Sequence, residues 1–173
     1  MFSQKTQDAF NKQLNMEFYS SYLYLAMSAY FESQHLTGMA TWMRIQAQEE
    51  HGHAMKFFDY ILSRNGKVVL GELGAPGAGW GSALEAFEDS YRHECRVTGL
   101  LNDLTTLSIG EKDHAANVFL QWFVSEQVEE EATVLDIVEK LRMVKDDPAA
   151  LFMMDQELGK RTLSPQLSPG DAL

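Results

Sequence analysis

Glu17, the pair Glu50-x-x-His53, Glu94 and the pair Gln127-x-x-Glu130 are metal-ligand residue types, or their neutral analogue, set among apolar neighbours. Read at spacings of three and four, each lies on an apolar stripe. Phe10, Leu14, Tyr24 and Phe31 flank Glu17, while Met39, Met43 and Phe57 flank Glu50 and His53. Leu84, Phe87 and Leu101 flank Glu94, and Leu120, Phe123, Val134 and Ile137 flank Gln127 and Glu130. A carboxylate removed from water without compensation is very costly, so a carboxylate at the middle of each of four such stripes requires a proton or a cation. The positions also repeat. Glu94 follows Glu17 by 77 residues, and the same offset relates Gln127 to Glu50, Glu130 to His53 and Glu126 to Glu49.

Two halves that each give one carboxylate and one i, i+3 pair match the plan of di-iron carboxylate bundles, in which Glu comes from two helices and Glu-x-x-His from the other two. The first half matches fully, and the second departs from it with Gln127-x-x-Glu130. Iron(II) accepts carboxylate oxygens together with imidazole, and bridging carboxylates hold two metals about 3.5–4 Å apart. Glu17, Glu50 and His53 make one site. Glu94, Glu130 and the neutral Gln127 make a second, weaker one that suits passing a product on, with Glu50 and Glu130 as the bridging candidates. The run SEQVEEEA (125–132) reads either as a solvated face or, with Glu126, Glu129 and the matched Glu49, as a secondary cation site. Tyr24 reads as core with its hydroxyl on a ligand carboxylate, or as an electron donor; Trp122 carries the same two readings. His51 is expected at the surface, and Cys95, Met39, Met43 and Met153-Met154 in packing.

Such a layer needs four helices in register. Prolines stand only at positions 76, 148, 165 and 169, and Leu, Met, Ala, Glu and Gln dominate the intervals between them. Capping signals predict α1 at about 4–33, α2 at about 37–65, α3 at about 82–109, α4 at about 113–144 and α5 at about 148–158. Gly66 and Gly110 are the expected stops for α2 and α3, and Ser82 with Glu85 the expected capping box. The glycine-rich connector 66–81 could stretch over roughly 50 Å, the full length of a helix of roughly 42 Å. The expected fold is therefore all-α, two antiparallel hairpins joined by a long α2–α3 crossover. One domain over 1–159, its short apolar α5 packed on another subunit, precedes a flexible tail over 160–173.

The chain has 173 residues, 25 acidic against 14 basic, for a net charge of -11. That balance excludes phosphate-backbone recognition and anionic membranes and leaves cations as natural partners. A single cysteine and an N-terminus without an apolar leader point to a reducing, cytoplasmic setting.

Over nearly its whole length the sequence resembles the bacterial non-haem ferritins. The resemblance is carried by NMEFYSSYLYLAMS around Glu17 and Tyr24, AQEEHGH around Glu50 and His53, and FLQWFVSEQVEEE around Gln127 and Glu130, together with Glu94 and the fifth helix. It implies a ferritin-like bundle in a shell of 24 subunits, with α5 near the fourfold axes. It implies a ferroxidase centre of Glu17, Glu50, His53, Glu94, Gln127 and Glu130 that oxidises Fe(II) with dioxygen, two irons per subunit. It further implies a third iron site of Glu49, Glu126, Glu129 and Glu130, with Tyr24 as a redox participant. His51 and Gly52 occupy the interval where a haem-binding relative carries methionine, so no haem is expected. Two other readings stay open at this level: a shell that buffers divalent ions such as Zn(II) without turning over oxygen, and a di-iron oxygenase acting on an organic substrate.

Overall fold

Short polar side chains open the helices by taking up backbone N–H groups that have no partner within the helix. In the computed structural model, which describes residues 2–77, 79–144 and 147–163, Ser3 Oγ accepts the Thr6 N–H at 3.2 Å and Asp113 Oδ1 accepts that of Ala116 at 3.1 Å. Asp147 Oδ1 accepts from Ala149 and Ala150, with Pro148 in the first turn. Ser82 Oγ accepts the Glu85 N–H at 3.1 Å, and Glu85 reaches back to the Gly81 N–H at 2.7 Å. That return bond lands one residue before the cap itself. The elements are α1 Gln4–Ser33, α2 Thr37–Ser63, α3 Ala83–Gly110, α4 His114–Val144 and α5 Pro148–Leu158.

The helix stops are not made by the expected glycines. His35, Asn65 and Lys112 take the left-handed conformation, with φ of 61°, 56° and 56°. The residue after each then donates its N–H five positions back: Leu36 to Phe31, Gly66 to Ile61 and Asp113 to Ser108. Gly66 serves space rather than backbone freedom, because a Cβ there would lie 2.9 Å from both Ile61 O and Gln7 Oε1.

α1 and α2 form one antiparallel hairpin, and α3 and α4 the other. Contacts of Ser20 with His93 and of Tyr24 with Ser90 set α1 antiparallel to α3. Gln46 meets Glu130, and Phe57 meets Phe119, which sets α2 antiparallel to α4. The core divides in two. Met27, Phe31, Met39, Met43, Phe87 and Leu141 belong to one cluster, and Phe10, Leu14, Phe57, Leu101, Leu120 and Phe123 to the other. The polar residues singled out above lie between them.

The crossover is held by a ladder that the sequence analysis did not anticipate. Gln7, Asn11 and Asn15 stand four apart on α1 and bond alternate residues of the strap. Gln7 Oε1 accepts the Lys67 N–H, Asn11 bonds Lys67 O and the Val69 N–H, and Asn15 bonds Val69 O and the Gly71 N–H, all at 2.7–3.0 Å. The strap thus climbs parallel to α1 until Trp80 packs on Tyr30 and donates to Asp89.

α5 was expected on a neighbouring subunit, yet one of its faces sits on its own bundle. Leu151, Met154 and Leu158 pack on the core, and buried Asp155 accepts the Met39 N–H at 2.8 Å, capping α2 from outside. Gly38 permits this crossing, since a Cβ would fall 1.8 Å from Asp155 O. Met153, expected in the core, is 72% exposed beside Phe152 at 63%, and Cys95 is exposed as well. Arg161, in the segment expected to fray, is bonded to α2; residues 164–173 of that segment lie outside the described residues. Among the described residues no helix is long and apolar enough to cross a membrane.

Gly38→Ala is expected to lower stability by about 1–3 kcal/mol through overpacking at this crossing. Thermal melting should show the loss, and amide exchange should show deprotection at Met39 and through α5; unchanged exchange would mean that the crossing is not tight.

Candidate metal centre

The polar layer draws on all four long helices. Glu17 comes from α1, Glu49, Glu50 and His53 from α2, Glu94 from α3, and Glu126, Gln127, Glu129 and Glu130 from α4. Glu17, Glu50, His53, Glu94 and Gln127 are each at most 4% exposed. Their ligand atoms converge in three sets, each within 4.8 Å: Glu17, Glu50 and His53; Glu50, Glu94 and Glu130; and His53, Glu126 and Glu130. Glu50 belongs to the first two sets and Glu130 to the last two, so each carboxylate can offer an oxygen to either neighbour. His53 Nδ1 lies 3.4 Å from Glu50 Oε2, while its Nε2 is buried without a hydrogen-bond partner. A buried imidazole nitrogen with nothing to bond suits a metal ligand. Trp122 and Phe123 pack edge-on against the His53 ring at 5.4 and 5.9 Å.

Neutral donors hold the carboxylates. Gln13 Nε2 donates to Glu17 at 2.7 Å, and Gln46 Nε2 donates both to Glu50 at 2.9 Å and to Glu130 at 2.6 Å. Gln127 Nε2 faces the Glu94 carbonyl and carboxylate and Thr98 Oγ1 at 3.1–3.2 Å. The Tyr24 hydroxyl donates to Glu94 and pairs with Ser90 Oγ. Gln13 and Gln46 stand four residues before Glu17 and Glu50, which they bond, a helical spacing readable in the sequence.

Burial dominates the electrostatics. It raises the Glu17 carboxyl above the ordinary range, against the pull of His53. Glu50 is pushed up further by burial and then by the charges of Glu94 and Glu17, and Glu130 by burial and then by Glu50 and Glu94. Burial lifts Glu94 to about 7 although Tyr24 and Gln127 bond it. Burial and the Glu94 charge hold the Tyr24 phenol well above its usual value. A layer of this kind keeps protons until a cation displaces them.

The outer carboxylates separate. Glu126 joins His53 and Glu130, and burial raises its carboxyl, with Glu129 and Glu49 adding to the effect. Glu129 is exposed and outside the three sets. The Glu49 carboxylate is engaged by Arg161, a residue that no local pattern in the sequence tied to this layer.

A family model for the ferritin-like domain matches residues 7–144. A bacterial non-heme ferritin of Bacteroides fragilis is 45% identical over 161 residues, 93% of this chain and 100% of that protein. One from Staphylococcus epidermidis is 36% identical over 96% of this chain and all of its own length. Among solved structures, an open-pore ferritin from Archaeoglobus fulgidus superposes with a TM-score of 0.93 at 49% identity, covering 94% of this chain and 100% of that one.

The raised carboxyl groups predict a pH dependence of stated sign. Each binds its proton more tightly in the fold than in the unfolded chain. Their contribution to stability is therefore complete below the unfolded value of 4.5 and is lost as pH rises through the folded values, about 7 for Glu94. The metal-free protein should melt at a lower temperature at about pH 8 than at about pH 5, and Zn(II) should flatten that slope while releasing protons. Calorimetric melting with and without Zn(II), and titration in buffers of different ionisation enthalpy, read both effects; a metal-free profile that rises with pH would contradict the assignment.

Proposed function

We infer that this chain, which belongs to the ferritin family, stores iron by oxidising Fe(II) with dioxygen at the four-carboxylate layer and keeping the Fe(III) as a mineral within a shell of its own copies. The observation that carries this reading is Glu50, buried and shared between two ligand sets, one containing His53 and the other Glu94 and Glu130. Fe(II) is the substrate, two ions per chain. Glu17, Glu50 and His53 hold one, and Glu50, Glu94 and Glu130 hold the other, with Gln127 beside it.

Each ion gives one electron to dioxygen. Carboxylates in a low-dielectric layer favour the more highly charged Fe(III), so the ligand set makes the bound ions easier for dioxygen to oxidise. The second ligand set has no imidazole, and the neutral Gln127 amide in its place binds metal more weakly, which favours release of the product. Tyr24, bonded to Glu94, stands where it can donate an electron. Glu126 and Glu130, next to His53, offer a way out toward the acidic outer position that includes Glu49 and Glu129. No haem is required. Assembly of 24 copies is supported by the family and by the exposed Phe152 and Met153 on α5, an apolar face suited to a subunit contact near the fourfold axes. The net charge of -11 suits a cytoplasmic, cation-handling protein that binds neither nucleic acid nor anionic membranes. Residues 1–159 form the folded unit in this reading, and Arg161 just beyond it bonds back to α2.

Anaerobic loading with two Fe(II) per chain, followed by rapid mixing with oxygen, tests the reading. A fast absorbance phase saturating near two irons is expected in the wild type. It should be lost in Glu50→Ala, whose shell stays assembled by size-exclusion chromatography, because removing one of several mutually repelling carboxylates relieves the layer. Oxidation at the wild-type rate in Glu50→Ala would overturn the assignment. Oxidation no faster than that of free iron in the wild type would make the protein a passive metal buffer.

A further inference from the structure

A cation of the chain itself already stands at the rim of the acidic layer. Arg161 lies three residues past α5, its guanidinium over the Trp42 ring at 4.3 Å from the centroid. Nη2 donates to Gln46 Oε1 at 2.8 Å and to the Glu49 carboxylate, and Nη1 is buried without a hydrogen-bond partner. Gln46 is the link inward, because its Nε2 donates to both Glu50 and Glu130.

Two consequences follow from the donor inventory. A glutamine amide has one accepting end and one donating end. A guanidinium only donates, so it holds the Gln46 oxygen outward and the Gln46 nitrogen toward the two carboxylates; the reverse orientation would set the amide oxygen against them. The same guanidinium occupies the Glu49 carboxylate that an outer cation would need. We propose that Arg161 is a positioning residue: it sets the orientation of Gln46, so that the paired site fills first, and it withholds Glu49 from an outer third ion until it moves aside. The segment following α5 thereby controls the order in which cations occupy the layer. This rests on the reading of the layer as a metal centre.

Calorimetric titration of assembled, metal-free protein with Zn(II), a probe that does not turn over oxygen, separates the two ideas. The wild type should take two ions tightly and a third weakly. Arg161→Gln should tighten the third ion by about tenfold, the order expected for removing one nearby charge, and should weaken the first two several-fold as Gln46 turns. Arg161→Met retains an apolar stem over Trp42 without the charge and should reproduce this result. Arg161→Lys, which keeps charge and donors, should restore the wild-type isotherm. Melting temperatures recorded in parallel show whether each variant folds, and the Gln and Met variants provide independent routes to the same readout. Isotherms of both charge-free variants that coincide with that of a Zn(II)-binding wild type would overturn the role of Arg161 alone. Failure of the wild type to bind Zn(II) would overturn the metal centre and this role with it.

Discussion

Four carboxylates that repel one another in a layer nearly without water set the terms for the rest of the molecule. Glu17, Glu50, Glu94 and Glu130 converge from four helices, and each is held more basic than a free carboxyl group by burial, with neighbouring carboxylates adding to the effect at Glu50, Glu94 and Glu130. Such a layer opposes folding unless protons or cations fill it. Gln13, Gln46, Gln127 and Tyr24 orient the carboxylates through neutral hydrogen bonds and leave their charge uncancelled. An arginine or lysine at those places would stabilise the empty protein and compete with metal.

The scaffold tolerates this defect because it is closed on both sides. Separate apolar clusters lie above and below the layer, so packing elsewhere offsets its cost. The ends are tied independently. Three amides on α1 fasten the strap, left-handed residues at 35, 65 and 112 close the helices, and Asp155 caps α2 across the contact at Gly38. Arg161 extends that last tie inward, joining the end of the chain to the polar layer through Gln46.

Much of this was legible because helix periodicity is strong. The five helices fall within about two residues of their capping signals, and the seam positions of Glu17, Glu50, His53, Glu94 and Gln127 are all buried. The differences have local physical reasons. Asn65, rather than Gly66, takes the left-handed turn because an asparagine side chain tolerates that region, while the glycine is spent on a close approach to Ile61 and Gln7. Met153 points outward because α5 needs only one apolar face to sit on its own bundle. Gln7, Asn11 and Asn15 read as ordinary surface polars until the strap they hold is known.

By itself, the sequence determined the helices, the two matched halves and the residue types that meet at mid-bundle, because 3.6-residue periodicity and i, i+3 spacing are local properties of a chain. Only the tertiary structure decided which carboxylates converge within reach of one another, so that the bridging candidates Glu50 and Glu130 each fall in two ligand sets, and that Arg161 reaches Glu49 and Gln46 across more than a hundred residues. Those outcomes depend on how separate helices are rotated and stacked against one another, and packing between distant segments leaves no local trace in the order of residues.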